Sequence, residues 1–410
     1  MSSRTIMIKK SDLKMWCLSA LVFFCAFDNT FIRSFIDISN VKKLLGIGII
    51  GFHLILIFIG KSKHKFLFRQ SIILYFIFYA WILFLSIENN GMGQAYDLLY
   101  ANFGSILIFL FVQYYSYNDK KIMNILDTWK YLILILVLID LLTLFLYPNG
   151  LYSSVWDSNN WFLGYKTSRV LYSLPMCAMF FYTSIRRNRK ISFQCWIVLL
   201  ISAWDAFLSQ ATSASVALVV CGLFVLLINN NVFTKFLNWI LNIKVWYIIY
   251  FVLVFLIVVS QSTGLLSFLA DLLGKDATFT GRTLIWLSCI DSIISSRGLG
   301  IGYLSSEGYS DLTNWVRGTN AHNHILGLLV TGGVAAFFIY YYMIYRTTKK
   351  SYIQDVIRMF IYGMMVLGIT SDTITYSMFG FFMIWLLEYS GERGYDPPGL
   401  LSSNCELQAV

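Results

Sequence analysis

Residues 131–147 read Tyr-Leu-Ile-Leu-Ile-Leu-Val-Leu-Ile-Asp-Leu-Leu-Thr-Leu-Phe-Leu-Tyr, an apolar run interrupted by one carboxylate, Asp140. A surface helix of a soluble protein carries a polar stripe opposite its apolar face, and this run has none. With the residues leading into it from Thr128, it reaches the roughly 20 residues that a helix needs to cross a bilayer. Comparable runs recur at 15–36, 44–60, 66–87, 95–115, 168–185, 192–209, 213–230, 245–263, 321–345, 353–371 and 373–389. Lipid offers a backbone amide no partner, so each run must be helical. The chain is 58% hydrophobic and 13% charged, where soluble domains carry about a quarter charged residues.

The expected architecture is therefore all-α. It is a polytopic bundle of about twelve transmembrane helices, with residues 1–390 as a single transmembrane domain and 391–410 as a polar, poorly ordered tail. Met15–Phe27 follows Lys9, Lys10 and Lys14 without a small-residue cleavage site, and reads as an uncleaved first helix. The basic clusters at Lys61/Lys63/Lys65, Lys120/Lys121, Arg186/Arg187/Arg189/Lys190, Lys235/Lys244 and Arg346/Lys349/Lys350 fall on one side of such a bundle. By the positive-inside rule that side is the cytoplasm, which also places both termini there. Lys42 and Lys43 are the exception. The net charge of +10 is then topogenic and attracts anionic lipid. No nucleic-acid motif accompanies it, so no nucleic-acid partner is expected. The scattered cysteines form no C-x-x-C pair, which argues against a disulfide framework or a metal knuckle. No metal and no cofactor are expected, and Cys289 reads as a small buried apolar residue.

Two outward loops break the rhythm, 148–167 (PNGLYSSVWDSNNWFLGYKT) and 264–320. Loops this long are uncommon unless functional or disordered. In the second, Thr280-Gly281-Arg282-Thr283-Leu284-Ile285-Trp286 opens a predicted helix that runs to about Ser296, with Thr280 as its N-cap. Arg282 then lies in the first turn, where a guanidinium and the helix N-terminus together suit an anion. The alternative is a surface arginine paired with Asp276 or Asp291. Gly298-Leu299-Gly300-Ile301-Gly302 reads as a tight re-entry turn, since a dinucleotide fingerprint requires a preceding strand.

Ala321-His322-Asn323-His324 holds two of the four histidines. A neutral imidazole at a water–membrane boundary can take a proton from a hydroxyl near neutral pH. The alternative is an interfacial histidine with no catalytic task. On one helix His322 and His324 would point about 200° apart and could not share a metal. Lys166 and Arg169, at the outer end of the first loop, form a second candidate anion-binding group, or they snorkel to lipid phosphate. Asp140 and Asp205 lie inside spans, where ionisable groups face a cavity or a partner. Asp355 and Arg358 are spaced to pair at i, i+3.

The order Gly281-Arg282, Trp286, Gly300-Ile301-Gly302, His322-Asn323 and Thr331-Gly332-Gly333 resembles the O-antigen ligase and polysaccharide polymerase superfamily (WaaL-like and Wzy-like proteins). Trp161-Phe162-Leu163-Gly164-Tyr165-Lys166 is similar to a segment of some capsule and exopolysaccharide polymerases. The resemblance implies a metal-independent glycosyltransferase of the GT-C type. Such an enzyme acts on undecaprenyl-diphosphate-linked glycans at the outer face of a bacterial cytoplasmic membrane. It also implies membrane lipids as surroundings, and a chain-length regulator and a flippase of the same pathway as partners. Arg282 carries over as a diphosphate ligand and His322 as the base that activates an acceptor hydroxyl. Trp286, Asn323 and His324 then join the substrate-binding set, with Lys166, Arg169 and Arg317 as further cations. Many relatives carry Ser-Arg after the seventh span, where this chain reads Ala211-Thr212-Ser213-Ala214-Ser215. Either Lys166 or Arg169 supplies that charge, or the diphosphate is held differently. A polymerase is the leading expectation and a ligase its nearest rival. A lipid-linked oligosaccharide flippase or other transporter is the rival from another class.

Overall fold

The structure, a computed structural model, describes residues 10–58, 69–153, 159–230, 234–263, 282–315, 319–349, 351–372 and 377–392. Among them are fifteen helices and no strand. In chain order these are α1 (Lys10–Ala26), α2 (Thr30–Phe35), α3 (Ser39–Phe58), α4 (Gln70–Tyr115), α5 (Asp119–Leu146), α6 (Val170–Asn188), α7 (Phe193–Leu208) and α8 (Thr212–Asn229). There follow α9 (Thr234–Ile240), α10 (Ile243–Thr263), α11 (Arg282–Ser295), α12 (Ser306–Thr313), α13 (His324–Thr347), α14 (Tyr352–Gly368) and α15 (Gly380–Glu392).

Each of the twelve apolar stretches contains a helix, and among the described residues five helices are long and apolar enough to cross a membrane: α3, α4, α5, α8 and α13. The expected count of about twelve crossings is not confirmed by that measure. Helices α1, α7, α14 and α15 have 17, 16, 17 and 13 residues, short of the roughly 20 that span a bilayer. Helix α4 merges two of the stretches across a break at Gly91 (φ 80°, ψ 178°).

The chain forms two compact units, Met1–Phe68 with Phe103–Gln210, and Arg69–Asn102 with Ala211–Val410. In the first, α5 packs against α1, α6 and α7. Its buried residues Ile122, Ile125, Trp129, Ile133, Val137 and Leu144 recur at helical spacing, and the Trp129 indole donates to the Ser19 carbonyl at 2.9 Å. The opposite face exposes Leu138, Leu142 and Phe145. That apolar outer face is what lipid, not water, accommodates. Gly104 of α4 comes so close to α1 that a Cβ would sit 2.5 Å from the Ala26 carbonyl oxygen.

In the second unit α14 packs on α8 and α15 and is buried on nearly every side. Arg358 pairs with Asp355 at 3.1 Å, as their spacing predicts. Helix α13 is broken at Gly333 (φ 64°), which frees backbone groups that need partners. The glycine turn supplies most of them. Ile301 N–H donates to Val330 O at 2.8 Å, Gly302 N–H to Thr331 O at 2.9 Å, and Val334 N–H to Gly298 O at 2.9 Å. The Trp81 indole takes the Gly332 carbonyl at 2.8 Å. A Cβ on Gly300 would lie 2.5 Å from the Gly333 nitrogen. The Gly298–Gly302 segment is thus a backbone splint for a broken helix, consistent with the re-entry turn read from sequence.

Candidate active site

Helix α11 begins at Arg282, close to where its apolar pattern predicts, while Thr280 and Gly281 lie outside the described residues. Its inward face carries Ile285, Trp286 and Cys289, buried with Tyr309, Ala321, Leu326 and Val330. Cys289 is the small buried residue expected, and burial pushes its thiol up to about 12. The helix ends with Arg297 and Gly298 both at positive φ (53° and 75°). Helix α12, which the sequence reading did not anticipate, starts at Ser306 with Ser305 as its N-cap, the hydroxyl accepting the Gly308 N–H at 3.2 Å.

The segment before α13 is clamped through one residue, Ala321. The Ala321 carbonyl accepts the Trp286 indole N–H at 3.0 Å, and the Ala321 N–H donates to Asp372 Oδ2 at 2.7 Å. His322 follows with φ 48°, a left-handed conformation that a non-glycine residue holds only where its surroundings dictate it. Its N–H donates to Asn320 Oδ1 at 2.9 Å. Asn323 caps α13, its Oδ1 accepting the Leu326 N–H at 3.1 Å. Its amide donates to the Ile369 carbonyl at 3.0 Å, which ties the α14–α15 connection to the same point.

The two histidines are placed differently. His324 is the first residue of α13, 1% exposed, with its ring 4.8 Å from Tyr340. His322 precedes the helix and is half-buried. Burial, and then the positive charge of Arg282, push it down to about 4, so its imidazole is neutral at pH 7. Asp372 is the residue that sequence reasoning missed. It is 4% exposed and packs so closely on Gly327 that a Cβ there would stand 2.9 Å from its own. Burial pushes Asp372 up to about 7, against the Ala321 N–H, which favours the charged form. Its second oxygen, Oδ1, has no hydrogen-bond partner among the described residues.

Five candidate residues thus stand in the second unit. Arg282 and His322 are within electrostatic reach of each other. Trp286 holds the backbone beside His322, Asn323 has both amide atoms engaged by protein, and His324 is walled in by tyrosines. Arg317 lies outside the described residues. Lys166 and Arg169 belong to the first unit. Lys166 is half-buried, with its ammonium 5.5 Å from the Tyr165 ring centre. Arg169 is fully buried between Asp140 at 3.4 Å and Asp205 at 3.7 Å, so its guanidinium is not presented to a ligand. Among the described residues no group of three or more His, Cys, Asp or Glu is placed to hold a metal.

No curated protein and no solved structure matches the chain. Residues 197–341 match the family model described as O-antigen ligase. That segment contains Arg282, Trp286, the glycine turn and His322–His324, but neither Asp372 nor the 148–167 loop. Members of this family are membrane enzymes, ligases and polymerases, that transfer glycosyl groups from lipid-linked polysaccharide substrates. With its long apolar helices the chain is a multi-pass integral membrane protein, and its segment 197–341 is similar to the O-antigen ligase family.

Proposed function

We propose that this protein is a surface-polysaccharide polymerase that joins undecaprenyl-diphosphate-linked repeat units at the outer face of the cytoplasmic membrane, without a metal. The observation that carries the reading is the clamp on Ala321. Trp286 on the helix that begins with Arg282, and Asp372 from the α14–α15 connection, hold Ala321 by its carbonyl and by its N–H. His322 is thereby fixed beside a guanidinium.

In this reading Arg282 and the N-terminal N–H groups of α11 stabilise the charge that grows on the diphosphate as it leaves. His322 takes the proton from the acceptor hydroxyl as that oxygen bonds to the anomeric carbon. A base held down near 4 is weak, and Arg282 is one cause. A bound diphosphate neutralises that cause, because an anion beside the guanidinium favours the protonated imidazole. The base therefore strengthens when the donor is in place. Asp372 keeps the His322 backbone in its left-handed turn. The topology that fits has both termini in the cytoplasm and the Arg282–His322 segment outside. A chain-length regulator and a flippase of the same pathway are its partners, and the bundle is of the GT-C type.

The matched family description is O-antigen ligase, which favours a second reading, transfer of a finished glycan to another acceptor. The Trp161–Lys166 segment supports polymerase. Replacing Arg282 or His322 by alanine at unchanged membrane abundance, and resolving the surface glycan by electrophoresis, tests the site. Single repeat units accumulating outside indicate a polymerase. Free long chains on the carrier indicate a ligase. Unaltered glycan from both variants rejects the assignment.

A further inference from the structure

The buried charge cluster of the first unit takes no part in the site above. Arg169 has no exposed side-chain surface, and Asp140 and Asp205, from α5 and α7, are 0% and 1% exposed. The Trp161 ring covers the guanidinium at 5.1 Å. An ion cluster this deep gains little net stability, since desolvation offsets its attraction. What it supplies is direction.

The same groups hold the outer loop. Asp140 Oδ1 accepts the Leu163 N–H at 2.6 Å, and the Thr143 hydroxyl accepts the Phe162 N–H at 3.3 Å. The Asn29 amide donates to the Phe162 carbonyl at 2.8 Å, and the Trp161 indole to the Tyr147 carbonyl at 2.8 Å. Trp161 and Gly164 exchange backbone hydrogen bonds at 3.0 and 2.9 Å, with Gly164 at φ 97°. Four consecutive residues are therefore fixed just before Lys166. Its ammonium has no carboxylate within ion-pair distance among the described residues.

We propose that Asp140, Arg169 and Asp205 are positioning residues that hold the Trp161–Gly164 turn in one conformation, so that Lys166 presents its ammonium to a phosphate group. The phosphate belongs to the carrier diphosphate or to a phospholipid head group. The link to turnover rests on the glycosyl-transfer reading; the link to loop conformation does not.

The test uses the full chain in nanodiscs. Amide hydrogen exchange is followed at 160–166, and turnover is followed with lipid-linked oligosaccharide extracted from cells lacking the protein. D140L removes the Leu163 acceptor and raises exchange there by about fivefold, the factor a single lost hydrogen bond carries. D140N keeps an acceptor and restores protection. Should D140L not accumulate, the triple variant D140L/R169M/D205N, which strands no charge, reads the same rise. K166M leaves exchange unchanged but raises KM by about tenfold with little change in kcat, and K166R restores KM. A K166M effect that persists in dodecyl maltoside micelles, which carry no phosphate, assigns the phosphate to the carrier, and one confined to phospholipid discs assigns it to the head group. Unchanged exchange in both D140L and the triple variant overturns the positioning role, and an unchanged KM in K166M overturns the role of Lys166. If no turnover is found with the unaltered protein, the exchange arm still decides the positioning role.

Discussion

Arg169 and Arg282 both stand at the start of a helix, α6 and α11, and the sequence offers both as cations for one ligand. A cation there opposes the helix dipole, so something else must hold it. Around Arg169 two carboxylates and an indole leave no surface exposed. Arg282 is only half-buried, and its charge bears on a histidine whose backbone is clamped in a left-handed turn. One arginine is spent on organising protein and the other on modifying a titratable neighbour. The difference is set by which groups other helices bring, not by the arginine or its place on its own helix.

The sharpest way to break this comparison is to remove both guanidinium groups. R169L strands two buried carboxylates and costs about 3–5 kcal/mol, read as collapsed membrane abundance or a lowered melting temperature. R282L, at a half-exposed position, costs about 1 kcal/mol or less. Equal losses would mean that both arginines are structural. Next in size is H322A, which lowers kcat by about 10²–10⁴-fold at wild-type abundance, measured by polymerisation with extracted donor. Then comes G300A, whose methyl group meets the Gly333 nitrogen at 2.5 Å. It costs about 1–3 kcal/mol by overpacking, visible in thermal unfolding, and a tolerated alanine would mean that the splint against α13 is dispensable.

The smallest effect concerns pH. Asp372 is raised to about 7. Its neutral form is favoured by folding, so stability is fully present below its ordinary value and falls as pH rises from about 4 to about 7. His322 is lowered to about 4. Its stability is present above its ordinary value and falls as pH drops from about 6.5 to about 4. The two offset each other in the wild type. H322Q should leave a stability that declines with rising pH, and D372N one that declines with falling pH, each with a slope of at most about 1.4 kcal/mol per pH unit. Parallel slopes in the two variants would show that these groups do not titrate as a pair of opposite sign.

Much of this was legible in the chain itself. Apolar runs without a polar stripe required helices in lipid. The local pattern from Leu284 to Ile294 marked α11, and the glycines at 298, 300 and 302 marked the turn after it. Asp372 left no such trace. A lone carboxylate beyond an apolar run has no spacing relation to His322, and the relation exists only because Asn323 and Ala321 are bonded to the α14–α15 connection. Asn323 likewise read as a ligand because its neighbour did, although a helix cap and a tether use both ends of its amide. The count of about twelve spans is not confirmed. Hydropathy marks apolar stretches, but it does not fix where a helix breaks, as α4 does at Gly91.

The segment that carries Arg282 and His322 is therefore a place where composition and order determined the element and the residue types. Periodicity and propensity act over a few neighbours, and they suffice to start a helix at Arg282 and to end it in a glycine turn. Only the tertiary structure decided that Arg282 stays half-exposed while Arg169 is enclosed. It also decided that Ala321, next to His322, is held by an aspartate from a distant connection. Burial and pairing of charge are properties of packed helices, and one-dimensional pattern carries no record of which carboxylate will be within reach.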